Sequence, residues 1–311
     1  MQIQMAERTK IKVPILLMGA SGSGKTLSSL LIAKGIVESM FPDMNETEQW
    51  AKIGMIETEH QRSSLYVNTQ HDDTTIQPFM QIEVIPPFTA DRYLEAFNAL
   101  KQAGAEVIII DSLSSVWSGD GGILDQVNKL GGQIGDWKKV GPEQQKVLNL
   151  LTDMHVHVIA TVRSKQGVEV TRNDTGKVQV EKVGLKPDQK DGLEYEFAIT
   201  FQLYQNHLAQ AMKDNSSIFD TQQILGRHVG HQIYDWAEEG VDLVAQANER
   251  KKKAIEAINH LIGGNATLEA MLKQFGTQLN NSNIETWNLA QLTAAYKQLA
   301  ASQKQNEKAG N

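Results

Sequence analysis

Residues 19–26, which read GASGSGKT, constrain the fold more than any other part of this sequence. They match the phosphate-loop pattern G-x-x-x-x-G-K-[ST] at every fixed position. A short apolar stretch, residues 13–18, comes before the loop, and apolar residues recur at helical spacing from Leu27 to Val37 after it. A strand, a glycine turn and a helix form the context in which this motif binds phosphate. A glycine-rich turn without a ligand is the weaker alternative.

The residue types of the loop explain how it would hold a nucleotide. Its three glycines allow backbone conformations in which successive N–H groups point at one anion, and the helix N-terminus adds a partial positive charge. Lys25 can reach the outer phosphates, and the hydroxyl of Thr26 can bind Mg²⁺. We therefore expect ATP with Mg²⁺, although no motif that distinguishes ATP from GTP is visible. The predicted nucleotide-binding residues are Gly19, Ala20, Ser21, Gly22, Ser23, Gly24, Lys25, Thr26 and Leu27.

Composition limits the class of protein. With 41% hydrophobic and 22% charged residues, the 311-residue chain is typical of a soluble globular protein of one or two domains. The absence of cysteine excludes disulfides and thiolate metal sites and fits a reducing cytoplasm. A signal peptide and a long apolar span are missing, so we expect a cytoplasmic protein without a membrane partner. A net charge of −7 means that any nucleic acid must be held by local basic patches or by an oligomer.

Strand-like and helix-like segments alternate along the first 240 residues, which predicts an α/β fold with a mainly parallel sheet flanked by helices. Ligands of such sheets bind at the carboxyl ends of the strands. The order of segments therefore predicts that four of them meet at one edge: the phosphate loop, residues 57–60, Asp111 and residues 161–165.

The composition changes near residue 240. We assign residues 1–240 to a P-loop ATPase domain and residues 241–311 to a small C-terminal helical module with a polar tail. Three amphipathic helices are expected in that module. Residues 119–141 are rich in glycine and are expected to form an inserted, partly ordered loop. Residues 168–181 alternate around a turn, which indicates a β-hairpin.

Three acidic side chains are candidates for chemistry at the predicted edge. Asp111 closes an apolar strand and is expected to bind Mg²⁺ together with Thr26. Hydrolysis also needs a carboxylate that activates water. The residue after Asp111 is Ser112, so this base must come from elsewhere, and Glu57 and Glu59 both follow a neighbouring strand. Their spacing alone does not distinguish them.

The stretch Ile56-Glu57-Thr58-Glu59-His60 resembles the Ile-Asp-Ala-Glu-His segment of RecA-type recombinases, and residues 109–113 resemble the second nucleotide motif of that family. The resemblance implies a RecA-like P-loop core with Glu59 as catalytic base, Asp111 and Thr26 at the metal, and Lys25 at the phosphates. Arg163 stands where the family has a polar sensor. RecA itself has a glutamine at this position, so the role of Arg163 stays open. Arg163 would sense the γ-phosphate, act across a subunit boundary, or be a surface arginine.

Residues 161–165 and 186–197 resemble a group of phage-encoded RecA-like ATPases that accompany single-strand annealing proteins. The resemblance implies a ring or filament with ATP at the subunit boundary. Lys186 and Lys190 are candidates to reach a neighbour's nucleotide there, and ordinary solvated lysines are the equal alternative. It also implies contact with single-stranded DNA, a partner such as an annealing or single-strand-binding protein, and a location in the host cytoplasm. A basic cluster around the hairpin could hold a DNA backbone, or be merely solvated. This cluster comprises Arg163, Lys165, Arg172, Lys177 and Lys182.

Three functions fit these observations. The favoured hypothesis is a RecA-like ATPase whose ATP hydrolysis is coupled to DNA in recombination, repair or replication. The alternative is a nucleotide-gated adaptor that hydrolyses ATP slowly and recruits a partner through its helical tail. A P-loop kinase is the third, and the resemblance around Glu59 favours water activation over transfer to an acceptor.

Overall fold

The computed structural model describes residues 5–153, 155–172, 178–190 and 192–309, with the backbone alone at 165–172, 178–186, 244 and 304–309. The strands are β1 (Pro14–Gly19), β2 (Ile53–Glu57), β3 (Gln70–His71), β4 (Thr74–Thr75), β5 (Met80–Glu83), β6 (Val107–Asp111), β7 (His157–Arg172), β8 (Val178–Pro187), β9 (Ile199–Leu203), β10 (Leu208–Asp214) and β11 (Gln223–Ile224). The helices are α1 (Lys25–Met40), α2 (Glu46–Trp50), α3 (Ala90–Gln102), α4 (Ser114–Ser118), α5 (Ile123–Leu130), α6 (Asp136–Leu151), α7 (Arg227–Ala237), α8 (Leu243–Ile262), α9 (Ala266–Gln278) and α10 (Leu289–Ala309).

One large sheet organises residues 11–239. Its strand order is β11-β10-β9-β1-β7-β6-β2-β5, with β8 paired to β7. The strands from β9 to β5 are parallel to their neighbours, whereas β10, β11 and β8 pair antiparallel. The phosphate-loop strand β1 lies in the middle, between β7 and β9. The predicted α/β fold with a mainly parallel sheet flanked by helices is confirmed, and the C-terminal region is helical.

Two apolar layers enclose this sheet. Along β6, Ile108 and Ile110 belong to the layer that includes side chains of α3 and α6, and Val107 and Ile109 belong to the layer that includes α1 and α7. Successive strand residues point to opposite faces, so an uninterrupted apolar strand fills both layers at once. This is why the β-branched run before Asp111 is fully buried.

Helices α1 and α7 approach each other at two glycines. A Cβ on Gly35 would stand 2.0 Å from the carbonyl oxygen of Arg227, and one on Gly230 would stand 2.2 Å from the carbonyl oxygen of Ile32. The backbones therefore meet at a distance that only glycine permits. This contact fixes the helix that begins at the phosphate loop against the sheet.

The expectation of a partly ordered loop at residues 119–141 is wrong. Helix α5 and the start of α6 occupy most of this segment. Ile123 and Val127 are buried one turn apart, and the rings of Trp117 and Trp137 lie 5.9 Å apart. The glycines end helices here rather than preventing them, since Gly131 follows α5 with φ of 121°.

The described residues fall into two compact units. One is Ile11–Glu239, and the other combines the described residues at the two ends of the chain. In the second unit α8, α9 and α10 pack around Trp287, Ile258 and Leu292, and the backbone of Thr9 pairs with Val241. The assignment of 1–240 and 241–311 to two functional domains stays a prediction. Across the described residues, no helix combines the length and apolar character needed to cross a membrane.

Candidate nucleotide site

The phosphate loop joins the end of β1 to the start of α1. Gly22 and Gly24 have φ of 81° and 91°, a conformation that side chains disfavour. Gly24 precedes the helix, and no side chain caps the first turn of α1. The N–H groups of that turn are therefore available to an anion, and the partial positive charge of the helix end favours one.

Lys25 lies at the mouth of this loop. Its Nζ atom donates hydrogen bonds of 2.9 Å to the carbonyl oxygens of Gly19 and Ala20. Burial lowers the pKa of Lys25, and the carboxylates of Asp111 and Glu59 oppose that shift. The ammonium group is thus held by the loop that would bind phosphate.

Asp111 connects three elements of the fold. Thr26 Oγ1 donates to Asp111 Oδ2 over 2.6 Å, and Thr161 Oγ1 on β7 donates to Asp111 Oδ1. The carboxyl group is buried, and this burial raises the pKa of Asp111 although both hydroxyls oppose the shift. A divalent cation beside Thr26 and Asp111 would supply the positive charge that such burial calls for, and hydroxyl and carboxylate oxygens are the donors that Mg²⁺ prefers. The residues present fit the predicted metal.

Glu59 follows β2 and pairs with arginine. Arg163 donates a hydrogen bond of 2.9 Å from Nε to Glu59 Oε1, and its Nη2 atom lies 2.8 Å from the same oxygen as an ion pair. Arg62 Nη1 lies 3.6 Å from the other carboxylate oxygen of Glu59. The side chain of Glu59 is 23% exposed, so solvent reaches it.

The four predicted segments therefore meet at one edge of the sheet. The hydrogen bonds join the first turn of α1 to β6, β6 to β7, and the loop after β2 to Arg163 on β7. The prediction that Thr26, Asp111, Glu59 and Arg163 converge is confirmed. What each side chain does in a reaction is a separate question and stays a prediction.

A buried polar cluster behind this edge was not predicted. Thr58 Oγ1 accepts from the N–H of Ser112 over 3.0 Å and lies 2.9 Å from Ser115 Oγ. The hydroxyl of Tyr93 donates to the carbonyl oxygen of Ser112 over 3.2 Å. Burial raises the pKa of Tyr93 far above its usual range, so the phenol stays protonated. The sequence carried no signal for this cluster, because its members come from three separate segments of the chain.

The turn between β9 and β10 also reaches the phosphate loop. Gln205 Nε2 donates to the carbonyl oxygen of Ser21 over 3.1 Å. A Cβ on Gly24 would lie 3.1 Å from Nδ1 of His207, so the imidazole ring is next to the loop. Strand β10, which follows this turn, pairs antiparallel with β9.

The predicted basic residues are described only in part. The β7–β8 backbone pairing from Ser164 opposite Pro187 to Arg172 opposite Val178 confirms the hairpin. Lys177 lies outside the described residues, and the described part gives the backbone alone for Lys165, Arg172, Lys182 and Lys186. Lys190 Nζ lies 3.2 Å from Gln144 Oε1 in the same chain.

Comparisons with known proteins assign the chain to a family. A family model described as AAA domain, AAA_24, matches residues 11–232. Among solved structures, the chain is similar to one titled "Crystal structure of the RadB recombinase", with 14% identity and a TM-score of 0.40 over 68% of this chain and 86% of that chain. A comparison with curated proteins found no match. Because the family model spans more than half of the sequence, the chain belongs to the AAA_24 family of AAA domains.

Proposed function

We propose that the protein binds ATP with Mg²⁺ and hydrolyses it to ADP and phosphate, as a RecA-like ATPase acting in DNA recombination, repair or replication. One observation carries the proposal. Lys25, Thr26, Asp111 and Glu59, which come from three distant parts of the sequence, lie at one end of the sheet around an uncapped helix N-terminus. Membership of a family of AAA domains supports the same reading.

In this proposal the phosphate loop binds the triphosphate. The backbone N–H groups of residues 19–27 surround the β- and γ-phosphates, and Lys25 exchanges the carbonyl oxygens of Gly19 and Ala20 for phosphate oxygens. Thr26 and Asp111 would hold Mg²⁺, which neutralises charge that develops on the phosphates. Thr161 keeps the Asp111 carboxylate oriented toward Thr26.

Glu59 is the proposed base for the attacking water. It lies near enough to Lys25 to influence the ammonium electrostatically, and it is partly open to solvent. Arg163 neutralises the carboxylate in the described conformation. A triphosphate would offer this guanidinium a second anion, so Arg163 is well placed to contact the γ-phosphate and to release Glu59 for proton transfer.

The same ion pair supports the second candidate function. The Glu59 oxygen that Arg163 contacts is occupied by the guanidinium and not free to accept a proton from water, which would make hydrolysis slow unless something displaces the arginine. A nucleotide-gated adaptor with a helical docking module fits that behaviour. The wider proposals are a phage origin, a homo-oligomeric ring or filament, single-stranded DNA at the β7–β8 hairpin, and an annealing or single-strand-binding protein as partner.

The test is ATP turnover by purified protein with and without single-stranded DNA. We expect Glu59→Gln to keep nucleotide affinity and to lose on the order of 100-fold or more in turnover, since general-base catalysis contributes that much. Glu106→Gln, at the opposite end of neighbouring β6, is the matched acid-to-amide control and should remain active. Turnover stimulated by DNA supports the recombination ATPase, and slow turnover indifferent to DNA supports the adaptor. Unchanged turnover in Glu59→Gln would contradict the assigned base.

A further inference from the structure

Glu57 is a buried carboxylate that the proposed reaction does not use. It ends β2, in register between Asp111 of β6 and Glu83 of β5, and only 1% of the residue is exposed. Its Oε1 atom accepts a hydrogen bond of 2.8 Å from the N–H of Glu59. Its Oε2 atom accepts from the N–H of Ser63 over 3.1 Å, from Ser63 Oγ over 2.7 Å, and from Gln81 Nε2 over 3.3 Å. A buried carboxylate is thus balanced by four donors.

The segment that donates three of these hydrogen bonds to Glu57 needs support. Residues 58–63 carry Glu59, and the two residues after it, His60 and Gln61, have φ of 58° and 57°. A left-handed backbone costs non-glycine residues about 1 kcal/mol or more each, so two in succession persist only if neighbouring contacts hold them. Glu57 binds the chain on both sides of this pair, at residues 59 and 63.

The edge strand β5 contributes further bonds to the same segment. Gln81, which donates to Glu57, also accepts from Ser64 Oγ over 2.9 Å. Glu83 accepts from Gln61 Nε2 over 2.7 Å. These side chains are polar links between β5 and the segment after β2, and Glu57 is the buried member at their centre.

We propose that Glu57 is a positioning residue, which holds the backbone of Glu59 and Ser63 so that the Glu59 carboxylate faces the phosphate loop. This inference rests on the proposed function, in which Glu59 activates water. Only a carboxylate can accept from all four donors, because the amide of a glutamine would place N–H groups against at least one of them. The proposal therefore explains why two acids stand at this strand end with different surroundings.

The experiment combines two readouts on four variants. Hydrogen exchange of the Glu59 and Ser63 amides reports the position of the segment without any need for activity. ATP turnover and nucleotide affinity report the consequence. The variants are Glu57→Gln, Ser63→Ala, Glu59→Gln and the control Glu106→Gln. Ser63→Ala removes one donor to Glu57 and leaves every candidate base in place, so it separates positioning from proton transfer.

For Glu57→Gln we expect faster exchange at both amides, a 10- to 100-fold fall in kcat of the order that small misplacements cause, and nucleotide affinity within about twofold. Ser63→Ala should shift both readouts in the same direction by less. Unchanged exchange in Glu57→Gln would overturn the proposal. So would a complete loss of turnover in Glu57→Gln beside full activity in Ser63→Ala, which would make Glu57 the base. If Glu59→Gln alone keeps turnover, the proposed function fails while the exchange result still decides the positioning.

Discussion

At the scale of single residues, His157 makes a testable contribution to stability. It lies in β7, where Nδ1 accepts from the N–H of Val13 over 3.2 Å and Nε2 makes no hydrogen bond among the described residues. Burial, with a smaller effect of Lys12, lowers the pKa of His157 to about 3. In the unfolded chain a histidine has a pKa near 6.5, so between about pH 3 and pH 6.5 the imidazole is protonated in the unfolded state and neutral in the folded state. The stabilisation is complete above about pH 6.5 and is lost progressively as the pH falls toward 3.

Urea denaturation at several pH values measures this effect. We expect the free energy of unfolding of the wild type to fall by a few kcal/mol, or less, between about pH 6.5 and pH 4 through this residue. His157→Gln should flatten that dependence, since the glutamine side chain does not titrate. An identical slope in the wild type and His157→Gln would show that other groups control the pH dependence.

Residue types predicted which side chains lie at the candidate nucleotide site better than they predicted the contacts that support those side chains. Lys25 and Asp111 follow from local patterns, because a loop motif and a strand end each carry their own signal in the sequence. The sequence shows that Glu57 and Glu59 both follow β2, but it does not show that only Glu57 is buried and hydrogen-bonded on all sides. That difference depends on contacts of Glu57 with Ser63 and with Gln81 of another strand. Partners of that kind are fixed by tertiary contact alone.

At the scale of elements, the crossing of α1 and α7 depends on glycine. Gly35→Ala would place a Cβ 2.0 Å from a backbone oxygen, and backbone cannot yield as a flexible side chain does. Alanine improves helix propensity by about 1 kcal/mol, but we expect the clash to cost more and the net free energy of unfolding to fall by about 1–3 kcal/mol.

Denaturant unfolding of Gly35→Ala and of the wild type measures this loss of stability. Gly141→Ala in α6 is the control, because nothing lies within 4 Å of its Cβ position and the variant should be as stable as the wild type or more so. Equal stability of the two variants would refute the close crossing.

Sequence patterns do not predict the helices that lie in glycine-rich or polar sequence. The glycines on both sides of α5 indicate a loop, yet the segment is helical because Ile123 and Val127 are buried on one face of the helix. Helix α7 was missed because histidines obscure its apolar spacing at Val229, Ile233 and Ala237. In each case burial against a neighbouring element outweighs local propensity.

At the scale of the whole molecule, the class of fold was predictable and the strand order was not. Alternating strands and helices indicate a parallel sheet, and its carboxyl edge then locates the ligand. No local sequence pattern indicates that β1 lies between β7 and β9, since both of these strands begin more than 140 residues later in the chain than β1. That order depends on which apolar faces fit together, so local patterns predict the edge that holds the site and do not predict which strands lie beside β1.

Nucleotide binding should stabilise the nucleotide-binding fold as a whole, and this consequence can be measured without any assumption about hydrolysis. At about 100 times its Kd, a ligand that binds only the folded state adds about 2.7 kcal/mol. For a unit of this size that corresponds to a rise in Tm of about 5–10 °C. Lys25→Ala should lose most of this rise, and Lys129→Ala, at an exposed ion pair, should keep it. The comparison is the shift within each variant, because Lys25 also bonds to Gly19 and Ala20 and its removal changes Tm without ligand. An ATP-dependent shift of full size in Lys25→Ala would place the nucleotide elsewhere in the fold.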